Sequence, residues 1–213
     1  MHGPQRVMRA YRSIALAGIA AAALALAGGG AAAETATIRI AQQFGISYLP
    51  LAVMKQRALL EEESVARGLP RPQIEWAVFS GAAAMNDALI SGSLDYATAG
   101  VGPMITMWDR TRGNLRVHGV AALGSMPNYL TTNNPAIKTL RDLGERDKIA
   151  LPSARVGFQA VVLQMAAARE FGEANYAKLD PLSVSMAHPD AATALLTGRT
   201  EITAHFTSPP FQN

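Results

Sequence analysis

The chain has 213 residues, with 19 Lys and Arg against 16 Asp and Glu, four His and no Cys. Without Cys there is neither a disulfide nor a thiolate metal site, so stability must come from the core. The excess positive charge sits at the N-terminus: residues 1–33 hold three of the Arg and no acid, which leaves 16 basic against 16 acidic side chains in the rest. A neutral body gives no electrostatic reason for nucleic acid or an anionic membrane surface as partner.

The N-terminus reads as a secretory signal peptide over residues 1–33. Arg6, Arg9 and Arg12 form a basic region, Ser13 to Ala27 is an apolar run, and Ala31-Ala-Ala offers a small-residue cleavage site before Glu34. The apolar run is short for a membrane span, which needs about 20 residues. No Cys follows it, which excludes a lipid anchor. The expectation is therefore an exported protein of the periplasm with no stable membrane anchor.

Thr35 to Ala41 alternates and is β-branched, which predicts a first strand. A polar and aromatic loop follows, Gln42 to Tyr48. Leu49 to Arg67 reads as one amphipathic helix, with Leu51, Met54, Ala58 and Val65 inward and Glu61, Glu62, Glu63 and Arg67 outward. Gln73 to Phe79 is a second strand. Ser80 is the expected N-cap of a helix over Ala82 to Ile90, and Gly92 its C-terminal stop. Leu94 to Ala99 is a short strand, closed by Gly100-Val-Gly.

Met104 to Arg112 is a further helix, and the apolar run Leu115 to Leu123 predicts another strand. Tyr129 to Asn133 is a short strand, after which the pattern starts again. Leu140 to Leu143 is a helical turn and Lys148 to Leu151 a strand. Gln159 to Phe171 is a helix, and Leu182 to Met186 a strand. His188-Pro-Asp opens the next helix, with Pro near its first position and an acid in its first turn. Glu201 to Phe206 is the last strand, and Thr207-Ser-Pro-Pro reads as the start of another helix. Strands alternating with helices imply α/β architecture with mainly parallel sheets.

One unit recurs. Ala88-Leu-Ile-Ser-Gly-Ser-Leu-Asp-Tyr-Ala-Thr-Ala aligns with Ala194-Leu-Leu-Thr-Gly-Arg-Thr-Glu-Ile-Thr-Ala-His at an offset of 106 residues. Two similar α/β lobes follow, 34–133 and 134–213, each sending strand ends toward a shared site, because ligands in open α/β sheets bind beyond the carboxyl ends of the strands. Two complete lobes need more chain than follows residue 33, since domains run to about 100–150 residues. The second lobe is therefore expected to be incomplete, with its C-terminal part missing.

No strong catalytic signature is present: no GxSxG, HExxH, Walker loop or GxGxxG, and no metal spacing among the His. Strand ends followed by small residues and a helix start recur at Ser80-Gly81-Ala82, Gly100-Val101-Gly102, Ser153-Ala154-Arg155 and Thr207-Ser208. Helix N-termini offer unpaired N–H groups and a positive dipole end. Two readings stand for each: ordinary capping, or an anion site shared between lobes. Arg155 is either a bidentate partner for a carboxylate, sulfonate or phosphate, or a solvated loop residue. His205, which aligns with Ala99, either faces the cleft or is structural. Phe44, Tyr48 and Phe206 are either an apolar wall for the ligand or core, and Trp76 and Trp108 read as core or surface.

Several of these stretches resemble the solute-binding proteins of ABC importers. They are Ile38-Arg-Ile-Ala, Ser80-Gly-Ala, Leu89-Ile-Ser-Gly-Ser-Leu-Asp, Ala99-Gly-Val-Gly-Pro and Ala204-His-Phe-Thr-Ser-Pro-Pro-Phe. The branch is the aliphatic sulfonate, taurine and nitrate type, similar also to the pyrimidine-precursor (thiamine-precursor) binding proteins. The resemblance implies a periplasmic binding protein-like fold of type II, two α/β lobes around a hinged cleft. Ligand contacts carried onto this sequence are Gln43, Phe44, Tyr48, Ser80, Gly81, Ala82, Gly100, Val101, Gly102, Ser153, Arg155, Val156, His205 and Thr207. The turn Ser153-Ala-Arg-Val departs from the Lys or Ser-rich turn of the family. The implied protein is a monomer without cofactor or metal, not an enzyme, that takes a small, anionic solute to a membrane permease and its ATPase. An enzyme on the same fold would be expected to use a His-rich, Cys-containing site, and a ligand-sensing module would need a membrane signalling partner.

Overall fold

A computed structural model describes residues 37–198 and 200–212. The expected signal peptide, residues 1–33, lies outside the described residues. The rest belongs to one unit, Thr37–Asn213. Its first strand, β1 (Thr37–Gln42), puts Ile40 and Ala41 into the interior. It lies between β2 (Gln73–Val78) and β3 (Tyr96–Ala97), both parallel to it, with Ala41 opposite Ala77 on one side and Ala97 on the other. Small residues at this register let α3 (Ala82–Ile90) seat Met85 directly on the sheet beside Leu94.

The second sheet has the order β4-β7-β5-β6. Its axis is β5 (Ile149–Leu151), three apolar residues buried on both faces, as a parallel strand with helices on either side must be. Strands β6 (Ser183–Ser185) and β7 (Ala204–Thr207) run parallel to it, and β4 (Tyr129–Thr132) runs antiparallel to β7. On one face Ile149, Leu151 and Phe206 pack under Leu163 and Ala167 of α5 (Phe158–Phe171). On the other, Ala150 and Ile202 pack under Ala191 and Ala194 of α6 (His188–Thr197). Phe206 is thus core, not ligand wall.

The repeat seen in the sequence is a repeat of topology. Strands β1, β2 and β3 pair in the same order as β5, β6 and β7, the first strand central each time. Gly92 and Gly198, one after α3 and the other after α6, both turn the chain with a left-handed backbone, φ +74° and +61°, a conformation that costs Gly little. In the first sheet an ion pair fixes the register that follows. The Arg39 guanidinium donates to both oxygens of Asp95, at 3.1 and 2.9 Å, and to the Gly92 carbonyl at 2.7 Å. The hydrogen bonds from Arg39 hold the Asp95 carboxyl below the usual carboxylate range.

Three expectations need correction. The helix expected over Leu49 to Arg67 is two helices, α1 (Leu49–Gln56) and α2 (Leu59–Ala66), separated at Ala58, which is left-handed at φ 48°. Only Leu51 of the four inward candidates is buried, and Val65 is exposed, so no continuous apolar stripe holds a single helix against the sheet. The strand expected over Leu115 to Leu123 does not form. The chain after α4 (Val101–Thr111) folds back on Thr111, whose carbonyl accepts from Arg116 N at 2.7 Å and whose hydroxyl accepts from Val117 N at 3.0 Å. Val120 is then 78% exposed, and the run finds no ladder partner among the described residues. Thr207-Ser-Pro-Pro begins a turn, closed by Phe211 N donating to the Ser208 carbonyl, not a helix.

The left-handed backbone at Ala58 costs roughly 1–2 kcal/mol relative to Gly, against an entropy cost of roughly 0.5–1 kcal/mol for the Gly itself. Ala58→Gly is therefore expected to be neutral or to stabilise by about 1 kcal/mol, where the same change in a helix interior destabilises. A urea melt that shows a loss of more than about 1 kcal/mol would contradict the left-handed break.

Candidate functional site

Because β1, β2 and β3 are parallel, their carboxyl ends fall at one edge: Gln42-Gln43-Phe44, Phe79-Ser80-Gly81 and Thr98-Ala99-Gly100. The second sheet does the same with Pro152-Ser153 after β5, Met186-Ala187 after β6 and Ser208 after β7. These two edges meet. A Cβ on Gly81 would stand 2.2 Å from the Pro152 carbonyl oxygen and 2.3 Å from Ser153 Oγ, and one on Gly100 would stand 2.4 Å from Phe158 Cβ. Only Gly permits either approach. Ile46 N donates to the Pro209 carbonyl at 3.1 Å, and a Cβ on Gly45 would lie 3.7 Å from Ser208 Oγ.

Three helices begin at this junction. Helices α3, α4 and α5 have N-caps Gly81, Gly100 and Gly157, all extended and none with a capping side chain of its own. The expected cap, Ser80, is exposed and does not serve. Ser153 replaces it from the other sheet: its Oγ accepts from Ala83 N at 3.3 Å, with the residue 5% exposed. Ala82 is buried at the first position of α3. Val101 starts α4 with its side chain largely exposed, and Gly102 lies against Val161 of α5. A helix start free of its own capping group keeps N–H donors for an external oxygen.

The other expected residues fall around and beneath this line. Gln43 donates from Nε2 to the Thr98 carbonyl at 3.4 Å, and Phe44 is exposed. Tyr48 is half-buried, and burial pushes its phenol up to about 12, so it stays neutral. Val156 is exposed. Arg155 is exposed and held at φ +68°, and its guanidinium makes no hydrogen bond or ion pair among the described residues. A non-Gly residue held left-handed is strained, and such strain is concentrated at functional sites.

His205 does not face a cleft. It is fully buried under the first turn of α6, where its Nε2 meets His188 Nδ1 at 2.9 Å. Gln159 Nε2 lies 3.3 Å from His188 Nε2, Thr207 Oγ1 lies 3.4 Å from His188 Nδ1, and the Phe211 ring stacks on His188 at 5.4 Å. With the Gln159 amide as donor, His188 carries its proton on Nδ1 and His205 carries its own on Nδ1. That last atom is buried without a partner. Burial pushes both rings down to about 4, aided at His188 by the neighbouring ring, so the pair is uncharged at neutral pH.

Two polar groups escaped the sequence reading. Asn128 stands one residue outside the Tyr129–Thr207 pair, opposite Ser208, with Oδ1 buried and unpartnered. Gln42, at the end of β1, has Oε1 in the same condition. Each lies next to a strand end, but nothing in the sequence distinguishes them from ordinary loop amides. A cavity of about 510 Å³, lined by Arg141, Phe171 and Lys178 among others, lies instead at the far end of α5, roughly 20 Å along the helix from the junction. Among the described residues no three His, Asp or Glu side chains gather as metal ligands, and no helix is long and apolar enough to cross a membrane.

No family model and no curated protein matches the sequence. Solved structures do match its fold. The alkanesulfonate-binding protein SsuA from Xanthomonas axonopodis pv. citri, bound to MOPS, aligns over 84% of this chain and 57% of its own, at TM-score 0.58 and 23% identity. The ligand-binding component of an ABC-type import system from Staphylococcus aureus, with zinc bound, aligns over 84% and 56%, at 0.51 and 18%. The periplasmic aliphatic sulphonate binding protein SsuA from Escherichia coli aligns over 84% and 56%, at 0.49 and 20%. The chain therefore has the α/β fold of periplasmic binding protein lobes and spans a little over half the length of these structures.

Two outcomes are expected. Gly81→Ala and Gly100→Ala each force a shift at the junction and should destabilise by about 1–3 kcal/mol, whereas Gly113→Ala, with open space around it, should not. Equal effects at all three would contradict the contact. Stability should be full above pH 6.5, where both rings are neutral folded and unfolded. It should fall as the pH drops from 6.5 to 4, because over that window only the unfolded chain takes up protons. The loss is about 3 kcal/mol for one ring. A His188→Gln, His205→Gln double variant should lose that slope in pH-dependent denaturant melts.

Proposed function

We propose that this chain is the solute-binding component of an ABC importer. It is exported through its N-terminal signal peptide to the periplasm, as a monomer. There it holds a small organic anion such as a sulfonate, taurine or nitrate, and delivers it to a membrane permease and its ATPase. The observation that carries this reading is the meeting of two sets of parallel strand ends at one line of contact, with three helix starts whose glycine N-caps bring no capping side chain of their own. Its lobes are residues 34–133 and 134–213, with β4 crossing from the end of the first to complete the sheet of the second.

In this reading the solute enters where the two edges now touch. A single hydroxyl, that of Ser153, occupies the start of α3, so an anionic oxygen has one weak neutral contact to displace there. The N–H groups of α3, α4 and α5 supply dipoles and donors, and Arg155 supplies a full charge. Phe44, Tyr48 and Val156 surround the solute's tail. Opening and closing about the junction is the expected motion for two lobes that bind between them.

A thermal-shift panel tests this. Alkyl and aryl sulfonates, taurine, nitrate, bicarbonate, dicarboxylates and a pyrimidine precursor are added in turn to the purified protein. A solute at 100 times its Kd stabilises by about 2.7 kcal/mol, and Arg155→Ala should weaken the responding anion by about 10-fold or more. A cooperative melt that no anion moves would overturn the proposal, and a shift with the pyrimidine precursor alone would transfer it to that related branch.

A further inference from the structure

The buried rings of His188 and His205 have no part in holding a solute, yet the contacts between the two edges are built on them. The turn after β7 is closed by Phe211 N donating to the Ser208 carbonyl, and the Phe211 ring stacks on His188. The same turn reaches the first sheet's edge, where the Pro209 carbonyl accepts from Ile46 N at 3.1 Å and Ser208 Oγ faces Gly45. On the other side of His188, Gln159 Nε2 stands 3.3 Å from its Nε2. Gln159 follows Phe158, the residue that Gly100 of the first edge approaches. Two of the contacts that join the sheets are thus carried by segments that pack on one pair of imidazoles.

The pair tolerates only one arrangement of protons. His188 Nδ1 donates to His205 Nε2 at 2.9 Å, so a proton added to His205 Nε2 sets two donors against each other. Nothing around the rings offsets the charge. Asp190 in the first turn of α6, Arg155 after β5 and Tyr129 opposite Thr207 are all exposed, and none of them makes an ion pair among the described residues. The first turn of α5, strands β5, β6 and β7 and the turn 208–211 carry no other ionisable side chain. A buried charge without a partner is costly, so the structure yields where it can. We propose that His188 and His205 form a latch: neutral, they position the turn 208–211 and the start of α5 against the first sheet, and in acid they release both contacts while the two sheets stay folded. They are positioning residues, acting through Pro209 and Phe158, and the latch works with or without a solute. Its direction follows from burial. The rings sit at about 4 when packed and return to about 6.5 once the turn lifts, so only the opened form takes up protons as the pH falls from 6.5 to 4.

Amide hydrogen exchange, followed by NMR on the purified full chain without solute, tests this. The reporter is the Ile46 amide, which donates across the junction to Pro209. Corrected for the intrinsic effect of pH on exchange, it should be less protected than the amides of β5 at pH 7, because it opens locally. Its protection should then fall about 10-fold or more between pH 7 and pH 5. In a His188→Gln, His205→Gln double variant the Ile46 amide should show no such dependence. Ile46 protection that is constant from pH 7 to pH 5 would overturn the latch. So would protection equal to that of β5 at every pH, since the contact would then open only when the whole chain unfolds. A pH dependence that persists in the double variant would assign the titration to another group and overturn it as well. The two wild-type outcomes decide the matter even if the variant fails to fold. None of these results bears on whether an anion binds, which the thermal-shift panel decides separately.

Discussion

The architecture depends on one close approach, the backbone of Gly81 against Pro152 and Ser153. No side chain fits there, since even a Cβ would meet the Pro152 carbonyl oxygen at 2.2 Å. Through it the start of α3, on the first sheet, is capped by a hydroxyl from the loop after β5, on the second. The contact is possible because both sheets are parallel and present their carboxyl ends, and because the residues at those ends are small. Gly100 against Phe158 and Ile46 against Pro209 extend the same line. Few hydrogen bonds cross it, so it is a junction that a ligand can compete for.

The chemistry at this line is polar but nearly uncharged. The two buried His are held neutral by their own burial, and Tyr48 stays protonated for the same reason. The acids around the first sheet lie elsewhere: Asp95 is in its clamp with Arg39, Glu75 is exposed on β2 opposite Arg39, and Glu62 and Glu63 are exposed on α2. What remains are helix starts, hydroxyls, amides and one free guanidinium. In the proposed function this set recognises a solute by the direction of its hydrogen bonds and by its negative charge.

Much of this was legible in the sequence. Alternation and β-branching located β1, and the Ala-Leu-aliphatic-hydroxyl-Gly repeat anticipated two units of the same topology, down to the left-handed Gly that ends each helix. The recurring small residues at strand ends marked where those ends meet. What failed did so for long-range reasons. Leu115 to Leu123 has the composition of a strand, but a strand exists only through a partner, and composition does not supply one. Ser80 has the chemistry of an N-cap, but the role went to Ser153, 73 positions away in the chain. His205 aligned with Ala99 at a strand end, yet its ring is covered by His188 from the first turn of α6. Asn128 and Gln42 carry no pattern at all, because a buried unpaired oxygen is a property of the packed molecule.

The most direct test of the meeting edges uses the absence of Cys from the chain. In an Ala83→Cys, Ser153→Cys variant the only two thiols sit on the residues that one cross-sheet hydrogen bond joins, the Ala83 backbone N–H to the residue 153 side chain at 3.3 Å, so standard bond lengths keep their Cβ atoms within about 7 Å. A short bifunctional thiol reagent should therefore cross-link them within one chain and abolish the thermal shift given by a solute that the untreated variant still binds. A cross-link that forms while solute binding is unchanged would move the site elsewhere. Two thiols that each react singly but never cross-link would show that the two edges do not meet.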